Sequence, residues 1–174
     1  MRLATAIAVV LGLLLAGCGG GGGHVHADPA PAPEPAALFA SDVRLSTLDG
    51  LETDEFWYGE AIVLTITVHN LGAETRVMRF PSSPFLDYDI RCLDGCLTWC
   101  WSETVPSSPV DVDVVLAPYE SRSWYVVWHQ EDRAGFQVAP GVYAASAWLP
   151  HFAGSDAIDA DTRVLFRIVG PSYG

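Results

Sequence analysis

The feature that most limits how this chain can fold is the period-two alternation of residues 61–70. Ile62, Leu64, Ile66 and Val68 fall on one face of an extended segment, which is typical of a half-buried β-strand. Similar runs recur at 75–80, 87–93, 97–102, 110–116, 123–130, 142–149 and 163–169. Since no convincing amphipathic helix accompanies them, the sequence predicts an all-β domain.

Turn-forming residues separate these runs. They lie at 70–72, 81–84, 94–95, 106–109, 117–118 and 140–141 and are rich in Gly, Pro, Asn, Asp and Ser. Short strands at this spacing predict an antiparallel β-sandwich of about seven to nine strands.

One hairpin can be placed in register from the sequence. Asp94-Gly95 favours a two-residue type I′ turn, which pairs Cys92 with Leu97 and aligns the apolar residues of both runs on one face. A three-residue turn would instead bring Asp89 and Arg91 beside the tryptophans, because a one-residue slip changes the face of every side chain. The apolar pattern therefore predicts the two-residue turn.

The N-terminus resembles a bacterial lipoprotein signal. Met1-Arg2 precedes an apolar run over 3–16, and the run closes on Gly17-Cys18, as in a lipobox. The run is shorter than the roughly 20 residues that a membrane-spanning helix needs. We predict cleavage before Cys18, diacylation of the Cys18 thiol, and a location in the cell envelope, lipid-anchored on the extracytoplasmic side of a membrane. An ordinary secretory signal is the alternative.

The residues after Cys18 are typical of a flexible stalk. Positions 19–23 are all glycine, and 28–35 alternate proline with small or acidic residues, a composition that cannot bury a core. The sequence thus predicts a signal peptide at 1–17, a lipidated cysteine and Gly/Pro/Ala-rich stalk at 18–40, and a folded domain at 41–174.

Three cysteines remain once Cys18 carries lipid, so one unpaired thiol is expected. The predicted register places Cys92 and Cys96 on opposite faces, which disfavours a disulfide between them unless the hairpin is distorted. Four strand residues separate Cys96 from Cys100 by roughly 13 Å, too far for a disulfide. Metal binding by the three would also need an irregular hairpin.

The charge excludes some partners. The formal net charge is −12, and Arg2 is the only charged residue before Cys18, so the mature chain is still more acidic. Such a chain is unsuited to nucleic acid or to electrostatic docking on anionic lipid. We expect no nucleic-acid partner and a membrane contact made through the lipid anchor.

Catalytic motifs are missing from the sequence. It contains no G-x-S-x-G, H-E-x-x-H, P-loop or G-x-G-x-x-G pattern. His69, His129 and His151 are scattered, and nothing directs a serine and a carboxylate towards one of them. We therefore predict no enzyme activity, no catalytic residues, no metal and no cofactor.

Two acidic pairs lie in predicted strands, Asp87 with Asp89 and Asp111 with Asp113. Each pair shares a strand face and could bind calcium, but we interpret both as solvated faces.

The tryptophans favour a large aromatic core. Five fall in predicted strands: Trp99, Trp101, Trp124, Trp128 and Trp148. Trp57, beside Phe56 and Tyr58, precedes the first clear strand, and a binding edge is the alternative to a core position.

An ordered set of motifs resembles the intracellular proteinase inhibitor (BsuPI) domain family. The resemblance covers about 43–149. Its opening motif is the segment 80–90, F-P-S-S-P-F-L-D-Y-D-I, and the strand-end Asn70 precedes it. Asp94-Gly95 and the W-x-W-S of 99–102 follow, and then 116–118, Trp128 and the P-G-V-Y of 140–143.

The resemblance implies an immunoglobulin-like β-sandwich and a protein-binding, protease-inhibiting function. Two positions depart from the family pattern: Pro84 stands where glutamine is usual, and Cys100 where a basic residue is usual. The family's protease partner is cytoplasmic, whereas this chain is predicted to be exported, so that partner does not carry over.

Two stiff loops, each bracketed by prolines, are the candidate partner-binding segments. They comprise Pro81, Ser82, Ser83, Pro84, Pro106, Ser107, Ser108 and Pro109. We predict a membrane-anchored extracytoplasmic lipoprotein whose sandwich binds a protein through them, with a serine protease as the candidate partner. The alternatives are ordinary interstrand connections and an envelope assembly module without a protease partner.

Overall fold

The computed structural model describes residues 38–149 and 162–170, so Cys18, the predicted signal peptide and nearly all of the predicted stalk lie outside the described residues. Within this range the chain is all-β, as predicted, with one turn of 3-10 helix at Trp101–Glu103. The strands are β1 (Phe39–Ser46), β2 (Glu55–Trp57), β3 (Ile62–Asn70), β4 (Arg76–Phe80), β5 (Asp87–Cys92), β6 (Leu97–Cys100), β7 (Val112–Leu116), β8 (Ser121–Trp128), β9 (Gly141–Trp148) and β10 (Thr162–Val169). Among the described residues, no helix has the length and apolar character needed to cross a bilayer.

The ten described strands exceed the estimate of seven to nine because β1 and β2 were not recognised. β1 has an irregular burial pattern, and β2 contains only 3 residues, so neither gives a clear alternation. The eight runs identified from the sequence correspond to β3–β10.

The strands form three sheets, in the orders β1-β3-β8, β2-β10-β9-β5-β6 and β4-β7. Neighbouring strands are antiparallel except β2, which joins β10 in parallel. β3 follows the predicted alternation, with Ile62, Leu64, Ile66 and Val68 buried. These side chains contribute to one hydrophobic core shared with residues of the five-stranded sheet.

An aromatic cluster around Trp128 occupies this core. The ring centroid of Trp128 lies 6.3 Å from Trp99, 6.4 Å from Tyr143 and 6.2 Å from Phe166. Its indole Nε1 donates to the carbonyl of Glu131 at 2.8 Å, so the buried polar atom is satisfied. Because β8 belongs to one sheet and the three partners to another, the cluster joins the two sheets.

Buried Asn70 ties together the connections that follow β3 and β7. Its Nδ2 donates to the carbonyls of Glu74 and Ala117, both at 2.8 Å, and lies 3.3 Å from that of Leu116. Its Oδ1 accepts the Gly72 N–H at 3.0 Å. One buried amide therefore bonds to the backbone of both turns, which gives the strand-end asparagine a structural role.

Replacing Asn70 with alanine should lower the free energy of unfolding by about 1–3 kcal/mol, because partly buried carbonyls and an N–H lose the partner that Asn70 provides. Urea denaturation of the full chain measures the change. Ser123→Ala is the control, since its hydroxyl pairs with Thr67 at 2.9 Å on an exposed face and its removal should cost less than about 0.5 kcal/mol. Equal losses for the two variants would contradict the role assigned to Asn70.

Candidate partner-binding loops

The first predicted loop, 81–84, connects β4 to β5 and contains a cis peptide bond between Ser83 and Pro84. Pro81 is exposed, whereas Ser82, Ser83 and Pro84 are partly buried. Just after the loop, the Phe85 ring packs 5.2 Å from Phe80 and 5.4 Å from Trp124 between ring centroids. The aromatic contacts anchor the loop at its C-terminal end.

The second predicted loop, 106–109, lies between the 3-10 helix and β7, and all four of its residues are exposed. Its backbone pairs with the first loop. The Ser83 N–H donates to the Ser108 carbonyl at 2.9 Å, and the Ser108 N–H donates to the Ser83 carbonyl at 2.8 Å. The two loops that the sequence proposed separately therefore form one hydrogen-bonded unit, here called the paired loops.

An open groove of about 580 Å³ adjoins the paired loops and is lined by Arg79, Phe80, Pro81, Asp111 and Asp113. Asp111 and Asp113 are exposed, as the solvated-face interpretation expected. Arg79 Nε lies 3.6 Å from Asp113 Oδ1 in an exposed pair that contributes little to stability. The groove therefore has two carboxylates for one guanidinium.

The solvated-face interpretation is wrong for the other acidic pair, because Asp87 is 7% and Asp89 is 3% exposed. Asp87 Oδ1 accepts the backbone N–H groups of Tyr88 at 2.8 Å and Ser102 at 2.9 Å. Asp89 Oδ2 accepts from Arg91 Nε at 2.6 Å. Asp87 thus connects the W-x-W-S segment to the start of β5, close to the first loop. Strand periodicity could not reveal this role.

The β5–β6 hairpin differs from the predicted turn. Its loop has three residues, 93–95, because the Cys92 N–H donates to the Cys96 carbonyl at 3.0 Å. Only Gly95, with φ of 90°, adopts a positive φ within the loop, whereas a type I′ turn needs two such residues. A register shift beside Arg91 then restores the predicted pairing of Ile90 with Trp99.

The three-residue loop also allows the disulfide between Cys92 and Cys96 that the predicted two-residue turn disfavoured. With a three-residue loop, Cys92 and Cys96 are directly opposite, their Cα atoms are 5.3 Å apart, and they form a disulfide. Their sulfur atoms are bonded to each other, so the structure provides no thiolate set for the C-x-x-x-C-x-x-x-C metal alternative. The expected unpaired thiol is Cys100.

Cys100 lies beside the Asp87 carboxylate. Its Sγ is 3.5 Å from Asp87 Oδ2 and 3.4 Å from Ser102 Oγ. Burial, above all, raises the pKa of the Cys100 thiol, and the nearby Asp87 carboxylate adds to the rise. The raised pKa keeps this thiol protonated and weakly nucleophilic at neutral pH.

One histidine does meet a serine and a carboxylate, which the sequence did not indicate. His69 Nε2 lies 2.7 Å from Asp42 Oδ2, and its Nδ1 lies 2.7 Å from Ser121 Oγ. Serine hydrolases use the two ring nitrogens in the opposite sense, with the serine at Nε2. Because the three residues come from β1, β3 and β8 and are only partly buried or exposed, we interpret the array as a cross-strand brace. His151 lies outside the described residues.

Four of the five tryptophans in predicted strands contribute to the core, as predicted. Trp99 and Trp128 are buried, and Trp101 and Trp124 pack against the core. Trp57, on the short strand β2, is 66% exposed and so does not belong to the core.

A family model described as intracellular proteinase inhibitor (BsuPI) matches residues 51–153, more than half of the chain. The chain belongs to this inhibitor family. The match confirms the resemblance found from the motif order, and it includes both proline-bracketed loops.

Comparison with solved structures adds only slight similarities. A β-glucosidase from Listeria innocua in complex with isofagomine is 11% identical, with a TM-score of 0.39 over 75% of this chain and 16% of that chain. A β-glucosidase involved in saponin metabolism from intestinal bacteria is 15% identical, with a TM-score of 0.38 over 77% of this chain and 16% of that chain. The chain thus spans about a sixth of the length of these structures. No curated protein matches the sequence.

The brace at Asp42 should make stability depend on pH. Partial burial opposes ionisation of Asp42, but hydrogen bonds from His69 and Arg44 outweigh it and hold the pKa of Asp42 below its usual value. A lowered folded-state pKa stabilises the fold above the usual carboxyl pKa, and the contribution is lost as the pH falls through the lowered value.

Asp42→Asn should therefore lower the urea midpoint at pH about 7 and have a diminishing effect as the pH falls below about 3.9. Denaturation curves of both proteins across this range measure the difference. A difference that is constant with pH would contradict an ionised brace.

Proposed function

We propose that this chain is a lipid-anchored inhibitor-family protein of the extracytoplasmic membrane face that binds a serine protease through its paired loops. The observation that carries the proposal is the reciprocal hydrogen bonding of Ser83 and Ser108. A loop that is held in one conformation before binding loses little entropy on entering a protease cleft.

The surroundings of the paired loops support a binding role. Phe85 anchors one side in the core, and the neighbouring Asp87 holds the segment that leads into the second loop. The exposed residues 106–109 project beside a groove that contains Asp111 and Asp113. The surplus carboxylate would favour a basic side chain of the partner at this edge of the contact.

The membrane location rests on the lipobox that ends at Cys18. Because the predicted stalk is rich in glycine and proline, it would hold the domain away from the lipid surface. An exported inhibitor would meet proteases of the envelope or the surroundings rather than a cytoplasmic enzyme.

Lipidation can be tested by expressing the full chain in bacteria supplied with radiolabelled palmitate. The wild-type protein should carry label and partition into detergent, whereas Cys18→Ser should lose both properties. Cys100→Ser is the matched control, since its thiol lies within the folded domain and should not be acylated. Label that persists in the Cys18→Ser variant would refute the anchor.

Inhibition can be tested by titrating the full chain, carrying Cys18→Ser, into subtilisin-like and trypsin-like serine proteases. We expect stoichiometric loss of activity of at least one protease while the chain stays intact. Ser108→Pro should weaken inhibition at least about tenfold, because proline lacks the N–H that donates to Ser83. Ser108→Ala keeps that N–H and should change inhibition less than about twofold.

Two results would count against this role. If the folded chain inhibits no protease in the panel, an envelope assembly module becomes the better assignment. If Ser108→Pro and Ser108→Ala inhibit equally well, the paired loops are not the contact surface.

A further inference from the structure

Three exposed aromatic side chains lie on two segments away from the paired loops. Trp57 is 66%, Tyr58 is 46% and Phe136 is 70% exposed. Trp57 and Tyr58 belong to β2 and the turn after it, and Phe136 belongs to the connection between β8 and β9. Segments 54–60 and 130–137 are here called the Gln130 surface, after the residue that joins them.

Gln130 is completely buried and bonds to both segments. Its Nε2 donates to the Trp57 carbonyl at 2.8 Å, and its Oε1 accepts the Gly59 N–H at 2.9 Å. Its own carbonyl accepts the Val138 N–H at 2.8 Å, which closes the second segment. The two segments are therefore held together before any partner binds.

The segment that carries Phe136 is also ordered internally. Asp132 Oδ1 accepts the N–H groups of Ala134 at 2.8 Å and Phe136 at 2.9 Å. The Asp132 N–H donates to the Phe136 carbonyl at 2.8 Å. An exposed aromatic ring on such a constrained turn loses little backbone entropy on contact with another protein.

The Gln130 surface carries more carboxylates than cations, and the nearby Arg167 of β10 lies opposite Glu55 in the sheet. Its carboxylates are Asp54, Glu55, Glu60, Glu131 and Asp132, and no ion pair within the described ranges involves them. The one cation of these two segments, Arg133, is held by the carboxylate of Glu103, with Nε at 2.7 Å and Nη2 at 2.6 Å from its oxygens. The surface therefore presents aromatic anchors within a negative field.

We propose that the Gln130 surface binds a second protein, one with a basic surface, independently of the paired loops. Exposed Trp and Tyr are frequent binding hot spots, and a negative rim accelerates and selects a positively charged partner. Two copies of this acidic surface would repel each other, and an anionic membrane would also repel the surface. Charge complementarity therefore favours a basic partner.

The position of the surface suits a tethered protein. Strand β1 begins at Phe39, where the chain enters the domain, and ends at Ser46. Near this far end, the Leu45 carbonyl accepts the N–H of Thr53, the residue just before segment 54–60. Eight strand residues span roughly 26 Å. The Gln130 surface thus lies at the end of the sandwich opposite the chain's entry, where a large partner can approach.

The experiment selects phage-displayed random peptides on the full chain carrying Cys18→Ser and measures their binding to purified variants. Selected peptides should be rich in Lys, Arg and apolar residues, and their affinity should fall as salt rises from about 50 to about 300 mM. Trp57→Ala and Phe136→Ala should each weaken binding at least about fivefold. Glu131→Gln should weaken it mainly at low salt.

Tyr119→Ala is the matched control, because Tyr119 is 70% exposed in the turn between β7 and β8, where its N–H donates to the Gly72 carbonyl, and the change should alter binding less than about twofold. Since Trp57 and Phe136 are exposed, their variants should keep the wild-type urea midpoint. Selection of no binders, of peptides without basic residues, or of peptides that bind Trp57→Ala as well as wild type would overturn the proposal.

The test separates this surface from the proposed protease contact. Trp57→Ala should leave protease inhibition unchanged, and Ser108→Pro should leave peptide binding unchanged. Loss of both properties in either variant would mean that the two surfaces are not independent, which would also overturn the proposal.

Discussion

The packing of Trp128 is the interaction on which the rest of this structure depends. Its indole contacts aromatic rings of the five-stranded sheet, and its N–H satisfies the carbonyl of Glu131 at the beginning of the β8–β9 connection. The same side chain therefore joins the sheets and starts the turn that Gln130 completes. A core contact and a surface segment therefore share one residue, Trp128.

Period-two alternation was sufficient to predict the all-β fold and eight of the ten described strands, because burial of one sheet face directly produces that pattern. β1 and β2 escaped because one is irregularly buried and the other is short. The hairpin shows a further limit. A three-residue turn and a compensating bulge give the same apolar pairing as a two-residue turn, so the pattern alone could not distinguish them.

The two candidate loops could be predicted from the sequence, but the contact between them could not. Proline spacing indicated both loops, but the backbone bonds between Ser83 and Ser108 depend on the folding of the strands between them. Gln130 gave no signal of its importance, and Asp87 was interpreted as a solvated residue, since a buried carboxylate or amide looks like any polar residue in a sequence. Their roles follow from backbone groups that only the tertiary structure brings within reach.

The parallel pairing of β2 with β10 has a consequence for how the domain is made. Residues 55–57 have no sheet partner until residues 167–169 have been synthesised, and β9 also needs β10 on one side. Contacts so distant along the chain form late and slowly. A nascent polypeptide that ends at β9 therefore still exposes apolar surface to its surroundings. Under the export proposed above, this order of events would keep the sandwich open while the chain is translocated.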